Sequence, residues 1–326
     1  MLQEIIDNFN HLGASGTPFY FLINYRGDSC YIDRMDRSGE TPFFLSIEGR
    51  ANRPLESLPY DGSPAPLTLI AHPESYDRYA ERFAVIREGQ LRGDSFLANL
   101  TQRTAVDFAG DPRELLSRVR AKYCAWLPGH FLCFSPEIFV RISSDGVISS
   151  YPMKGTIDAT LPDAEQRILS DPKEQAESAT IVDLIRNDLS SVAEHVRVER
   201  YRYIDRVETR GGALLQVSSE VTGQLPSEWQ GELGTILSKL LPAGSITGAP
   251  KAATQALIAR AEQHERGFYT GICGFFDGES LDTGVMIRFI ERDGEHFYYH
   301  AGGGITINSD CRSEYEEVIE KIYLPL

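Results

Sequence analysis

Two hydrophobic periods alternate along this chain, and the changes between them divide it into elements. Period-two alternation in PFYFLINY (18–25), SCYIDRM (29–35) and PFFLSIEG (42–49) predicts an antiparallel β opening. A turn-rich stretch, 53–66, leads to a short strand at 67–71, a helix-period segment at 74–89 and a strand at 95–106. DPRELLSRVRAKY (111–123) begins with an aspartate cap and a proline at the first helical position, which predicts a helix. Strands follow at 130–134, 137–142 and 146–155. The second half continues with a helix at 171–189, opened by the same Asp-Pro pair, and strands at 196–208 and 214–223. Helices at 228–241 and 249–263, a β-meander over 268–307 and a closing helix at 313–324 complete it. No linker-like stretch or repeat divides the chain. The pattern predicts an α+β fold in one domain, 1–326, with two intermingled α/β lobes, antiparallel sheets face to face and helices outside.

Composition changes little in that picture: of 326 residues, 42% are hydrophobic and 24% charged, as in ordinary globular proteins. No apolar run approaches the roughly 18 residues of a membrane span. MLQEIIDNFNHLG at the start is acidic and lacks the basic opening of a secretory signal. Five cysteines, odd in number and never in a CxxC pair, point to a reduced, cytoplasmic protein and away from a zinc site. A net charge of −15 argues against nucleic-acid binding. It also means that a dianionic substrate would need a metal or local cations to reverse the field at its site.

Several positions carry candidate chemistry, each with a plainer alternative. Glu174 and Glu177 share a helix face, and Glu314 and Glu317 repeat that spacing with Lys321 four residues on. Hard oxygen ligands from two facing helices suit magnesium, although such pairs are ordinarily solvated faces. Gly302, Gly303 and Gly304 in HAGGGITINSD follow a strand and form either an anion nest or a glycine-rich turn. AGSITGAPKAAT lacks the Walker spacing, but its Thr247-Gly248 turn feeds a helix N-terminus that suits a carboxylate. Arg288, inside the apolar VMIRF, calls for an anionic partner from the protein or a ligand. Glu137 in FSPEIF lies between two strands, where a raised pKa would make it a general acid. Lys154 in YPMKGTIDA sits where a strand edge turns into a glycine-containing loop, a constrained place for a lysine that would ordinarily be solvated.

In combination, SPEIFV, YPMKGT, KEQAESATIVDLIRNDLS, GSITGAPK, RGFYTGICGFFD, IRF, AGGGI and EYEEVIEK resemble the chorismate-utilising enzymes related to anthranilate synthase component I. Within that family the chain looks most like component I of the aminodeoxychorismate synthases. The matching segments run from near residue 90 to the end, and the part before them carries no recognisable motif. The resemblance implies the anthranilate synthase component I-like fold and a chorismate substrate. It also implies magnesium at the ring carboxylate, with Glu177 and Glu317 as direct ligands and Glu174 and Glu314 beside them. The amides of Gly302–Gly304, Lys321 and Thr247 would surround that end. Arg288 and Tyr269 would hold the enolpyruvyl carboxylate, and Glu137 would protonate the hydroxyl leaving ring carbon 4. These cations, amides and the metal would make a positive pocket in an acidic protein.

Relatives that make anthranilate or salicylate look like P-x-A-G-T at the Lys154 loop. In the aminodeoxychorismate branch the lysine is a nucleophile that attacks ring carbon 2, and ammonia then adds at carbon 4. Two departures are visible. Gln216 stands where many relatives carry histidine, so no proton role passes to it. Leu97 stands where relatives carry glutamine or a water-activating lysine, which argues against isochorismate-type hydration. No cysteine lies in a nucleophile elbow, so ammonia is expected from a glutamine amidotransferase partner or from solution. The resulting expectation is an enzyme of para-aminobenzoate and folate biosynthesis. Anthranilate synthase component I is the alternative on the same scaffold, and a non-catalytic chorismate-binding protein is a third reading. Lys154 speaks against the second reading, and the intact set Glu137, Lys154, Glu177, Arg288 and Glu317 against the third.

Overall fold

In the computed structural model, which describes residues 1–37, 41–60, 62, 65–209 and 212–326, the fully apolar strands have both faces covered. Phe19, Phe21 and Ile23 point one way from the strand Phe19–Ile23, and Tyr20 and Leu22 the other, and all five are buried. Cys124 and Trp126 likewise face away from Tyr123, Ala125 and Leu127. Such strands lie between a helix layer and a second sheet, which gives four layers, helices–sheet–sheet–helices.

The first sheet runs in the order Met153–Asp158, Gly212–Gln224, Val147–Ser150, Ile138–Ile142, Leu281–Val285, Ile272–Phe276, Phe19–Ile23 and Cys30–Arg34. Glu194–Thr209 adds to Gly212–Gln224 as a further strand. The second runs Gly248–Ala249, Leu97–Ala109, His296–Ile305, Phe289–Asp293, Phe131–Ser135, Tyr123–Leu127, Phe44–Ile47 and Arg50–Ala51, with Thr68–His72 also on Leu97–Ala109. Every described pairing is antiparallel. The helices are α1 (Gln3–Ala14), α2 (Tyr76–Leu91), α3 (Pro112–Arg118), α4 (Ala164–Ser170), α5 (Pro172–Ser190), α6 (Leu233–Leu240), α7 (Lys251–Glu262) and α8 (Cys311–Glu320). Helices α1, α5 and α6 cover the first sheet, and α2, α3, α7 and α8 the second.

The expected α+β architecture is present, and the differences lie in the boundaries. The helix expected over 111–123 ends at Arg118, and YCAWL forms a strand whose two-sided burial leaves no alternation to read. Helix α4 falls in a stretch to which no element was assigned. The continuous strand expected over 146–155 is broken at Tyr151 and Pro152, since proline has no N–H for a ladder. The β-meander expected over 268–307 is divided as well: Leu281–Val285 belongs to the first sheet and Phe289–Asp293 to the second. Arg288 sits at that crossing with φ 55°, a left-handed conformation uncommon outside glycine. A matching crossing at Pro136–Glu137 joins Phe131–Ser135 in the second sheet to Ile138–Ile142 in the first. Two candidate residues therefore stand where the chain changes sheets, at the seam between the lobes.

Candidate active site

At this seam lies a cavity of about 460 Å³. Its wall includes Glu137, Lys154, Glu174, Glu177, Tyr269, Arg288, Gly302, Gly303, Gly304, Glu314, Glu317 and Lys321, so twelve residues separated by up to 184 positions meet in one space. Thr247 is the candidate that does not reach the wall. It is fully buried behind it, its carbonyl accepts from the Asn99 N–H at 2.9 Å, and its hydroxyl has no described partner.

Each side chain is delivered by an identifiable local feature. Lys154 is not in a loop: it lies in the edge strand Met153–Asp158, where a register shift between Met153 and Thr156 makes a bulge. Gly155 beside it has φ 79°, a left-handed conformation that favours glycine, and a Cβ there would crowd the carboxylate of Glu174 on α5. Lys154 Nζ stands 3.6 Å from Glu177 Oε2, and Lys173 Nζ stands 3.8 Å from Glu177 Oε1. Helix α5 starts where the Asp171 carboxylate accepts from the N–H groups of Lys173 and Glu174. The three glycines lie inside the strand His296–Ile305 rather than after it. They pair with Leu97–Ala109 on one side, while the pairing with Phe289–Asp293 on the other stops at His300. Lys321 Nζ donates to Gly302 O on that open side at 2.8 Å. Since one residue's N–H and C=O point the same way in an antiparallel strand, Gly302 and Gly304 present their amides there.

The electrostatics divide the cavity into two ends. At one, burial first, and then the charges of Glu177 and Asp171, push the Glu174 carboxyl upward. Burial, Glu317 and Glu177 do the same to Glu314 against a hydrogen bond from Ser309. Burial also works to raise Glu317, but Lys321, donating at 2.7 Å, together with Lys154 and Lys173 carries it below the usual range. Glu174 Oε2 is buried without a partner among the described residues. A crowded carboxylate set with an orphaned oxygen fits a hard divalent cation, although no three of its members converge as a formed metal cage among the described residues.

At the other end the charge is positive. The Arg288 guanidinium makes no hydrogen bond or ion pair with any described residue and only lies 5.7 Å from the Tyr323 ring centroid. A lone guanidinium on a cavity wall calls for an anion from outside the protein. Glu137 accepts from Ser245 Oγ through Oε1 at 2.6 Å. Burial raises its carboxyl against the pull of that hydroxyl and of Lys154, Arg288 and Lys321. Tyr269 is buried and its ring lies against His300, tilted by 37° with centroids 4.7 Å apart.

Sequence reasoning missed Asn99, Lys173, Ser245 and His300, which also line the cavity. His300 is buried, its Nε2 is 2.8 Å from Glu291 Oε2, and burial lowers its pKa against that carboxylate. Ser245 lies inside GSITGAPK, Lys173 precedes Glu174 and His300 stands two residues before the glycine run, so neighbouring motifs were the available signal. Gln216 lines the cavity, whereas Leu97 is buried and absent from its wall.

The sequence profile of the chorismate binding enzymes matches residues 46–326. The chain belongs to the chorismate binding enzyme family. The family match begins well before residue 90, so part of the N-terminal β region, which carries no recognisable motif, belongs to it. A Haemophilus influenzae protein named an uncharacterized PabA-like protein is 46% identical over 325 residues, covering 100% of this chain and 97% of its own. Aminodeoxychorismate synthase component 1 of Klebsiella aerogenes is 34% identical over 265 residues, 76% of this chain and 57% of that protein. The crystal structure of anthranilate synthase component I from Streptococcus pneumoniae superposes with a TM-score of 0.66 at 21% identity. It covers 93% of this chain and 89% of the other, a likeness of fold. Among the described residues no helix is long and apolar enough to cross a membrane.

Proposed function

We propose that this member of the chorismate binding enzyme family is an aminodeoxychorismate synthase component I, joining chorismate and ammonia to give 4-amino-4-deoxychorismate. The observation that carries the reading is a primary amine, Lys154, in the wall that also holds Glu137 and the unpaired Arg288. Arg288 and Tyr269 take the enolpyruvyl carboxylate, and Lys321 with the open amides of Gly302 and Gly304 faces the ring carboxylate. This orientation sets the ring between Lys154 and Glu137. The Lys154 lone pair bonds to ring carbon 2, the two conjugated ring double bonds move to carbons 1–6 and 4–5, and the carbon 4–oxygen bond breaks. Glu137 gives its proton to the departing hydroxyl, which leaves as water. Ammonia then bonds to carbon 4, both double bonds return to their original places, and the Lys154–carbon 2 bond breaks, its electron pair going back to the lysine nitrogen. The proton lost by the added nitrogen restores the Glu137 acid.

Glu177 and Glu317, with Glu174 and Glu314 beside them, would hold magnesium, which supplies positive charge to the ring carboxylate when bound. Glu177→Gln and Glu317→Gln keep side-chain size but remove a charge from this set. Each is expected to lose about tenfold or more in rate at low magnesium, partly recovered by excess metal. Magnesium titrations identical to wild type would mark both as solvated helix-face residues.

The proposed partner is a glutamine amidotransferase subunit that delivers ammonia, and the proposed setting is para-aminobenzoate and folate biosynthesis in the cytoplasm. The purified chain is expected to consume chorismate with ammonium at elevated pH, where free ammonia exists, and to ignore glutamine. Adding the amidotransferase subunit is expected to confer glutamine use. Glutamine-driven turnover by the chain alone, free of contaminating glutaminase, would overturn the two-part arrangement.

A further inference from the structure

The two oxygens of the Glu137 carboxyl are not equivalent. Oε1 accepts a 2.6 Å hydrogen bond from Ser245 Oγ. Oε2 has no hydrogen-bond partner among the described residues, is not sealed from solvent, and belongs to a side chain on the cavity wall. We infer that Ser245 is a positioning residue: its hydroxyl holds Oε1, leaves Oε2 to carry the proton into the cavity, and donates to the carboxylate formed when that proton leaves.

The surroundings fix Ser245 firmly enough for this task. It sits in the short turn Gly244–Ile246, whose Gly244 packs so closely on α5 that a Cβ would lie 2.7 Å from Asp188 Oδ2 and 3.1 Å from Leu184 Cγ. On the other side Arg266 Nη1 donates to Ile246 O at 2.8 Å, and Nη2 donates to Asn99 O at 2.7 Å. The same guanidinium is paired with Glu262 at 2.7 Å, and both side chains are 1% exposed. Glu262 in turn accepts from the Thr101 N–H and hydroxyl, each at 2.7 Å. The Ser245 turn is thus pinned between α5 and the second sheet, while Glu137 is fixed at the sheet crossing by its own N–H on Ser135 Oγ at 3.1 Å. The charged and titratable groups that face Glu137 are Lys154 from the edge strand, Arg288 from the other crossing, Lys321 from the end of α8 and Tyr269. None of them is bonded to Oε1.

The inference rests on the proposed role of Glu137 but can be tested apart from it. Glu137 is titrated by its ¹³C carboxyl signal in the whole free protein, assigned by its loss in Glu137→Gln. Ser245→Ala removes a donor to the charged form, so the Glu137 pKa is expected to rise by about one unit, a tenfold change in its ionisation equilibrium. Ser245→Thr keeps a hydroxyl and is expected to restore the wild-type titration. In turnover the high-pH limb that reports this acid is expected to move upward by the same amount in Ser245→Ala, with KM for chorismate nearly unchanged. An unmoved titration in folded Ser245→Ala, or a titration that Ser245→Thr does not restore, would overturn the inference. A shifted titration in a protein that makes no aminodeoxychorismate would uphold it while refuting the proposed reaction.

Discussion

Replacing Lys154 with alanine is expected to lower aminodeoxychorismate formation by at least about a hundredfold, equivalent to about 2.7 kcal/mol of barrier. The amine is the group proposed to bond to the substrate, and no other lysine on the wall occupies the bulged strand that brings Nζ within 3.6 Å of Glu177. Chorismate affinity is expected to stay within about threefold of wild type, because both carboxylates are held elsewhere. Lys154→Arg separates charge from chemistry: it keeps a cation beside Glu177, supplies no comparable nucleophile, and is expected to be as inactive as alanine. Both variants are read by turnover and by equilibrium chorismate binding. Undiminished turnover in Lys154→Ala would remove the nucleophile, and an active Lys154→Arg would reduce Lys154 to a charge.

Glu137→Gln is expected to cost roughly 10²- to 10⁴-fold in kcat, the usual worth of a positioned general acid, with little change in KM. Glutamine keeps the acceptor for Ser245 but carries no transferable proton. The pH dependence supplies the sign. Burial raises the Glu137 carboxyl, so its acid form survives to higher pH than an exposed glutamate would allow. Activity limited by this acid is full below its pKa and is lost as pH rises through it. Free ammonia, in contrast, grows with pH. Ammonium-driven turnover is therefore expected to be bell-shaped in wild type, and the falling limb set by Glu137 is expected to vanish from the residual activity of Glu137→Gln. A full kcat with an unchanged high-pH limb in this variant would exclude Glu137 as the acid.

The sequence revealed the site's membership better than its local geometry, for physical reasons. Glu174 and Glu177 were legible because a helix places positions three apart on one face, and the Asp-Pro start fixed where that helix begins. Arg288 was legible as a charge without a partner inside an apolar run. That the chain crosses between sheets there was not, because the strands on both sides are equally apolar and no glycine or proline marks the break. The Lys154 bulge was read as a loop, since glycine signals a turn and a bulge alike. The Gly302–Gly304 run was read as following its strand, and the ladder with Leu97–Ala109 that keeps it extended comes from about 200 residues earlier in the chain, beyond any local pattern. The Ser245–Glu137 bond joins residues 108 positions apart and depends on the Arg266–Glu262 pair behind it. Of YCAWL, the helix expectation takes only Tyr123 and no element is expected over 124–127, because two-sided burial erases alternation.

Identification of the product made from chorismate, magnesium and ammonium by the purified chain tests the central claim most directly. Mass and fragmentation are expected to show 4-amino-4-deoxychorismate, with nitrogen at carbon 4 and the enolpyruvyl group retained, and none from Lys154→Ala. Anthranilate, with nitrogen at carbon 2 and the enolpyruvyl group lost, would contradict the account.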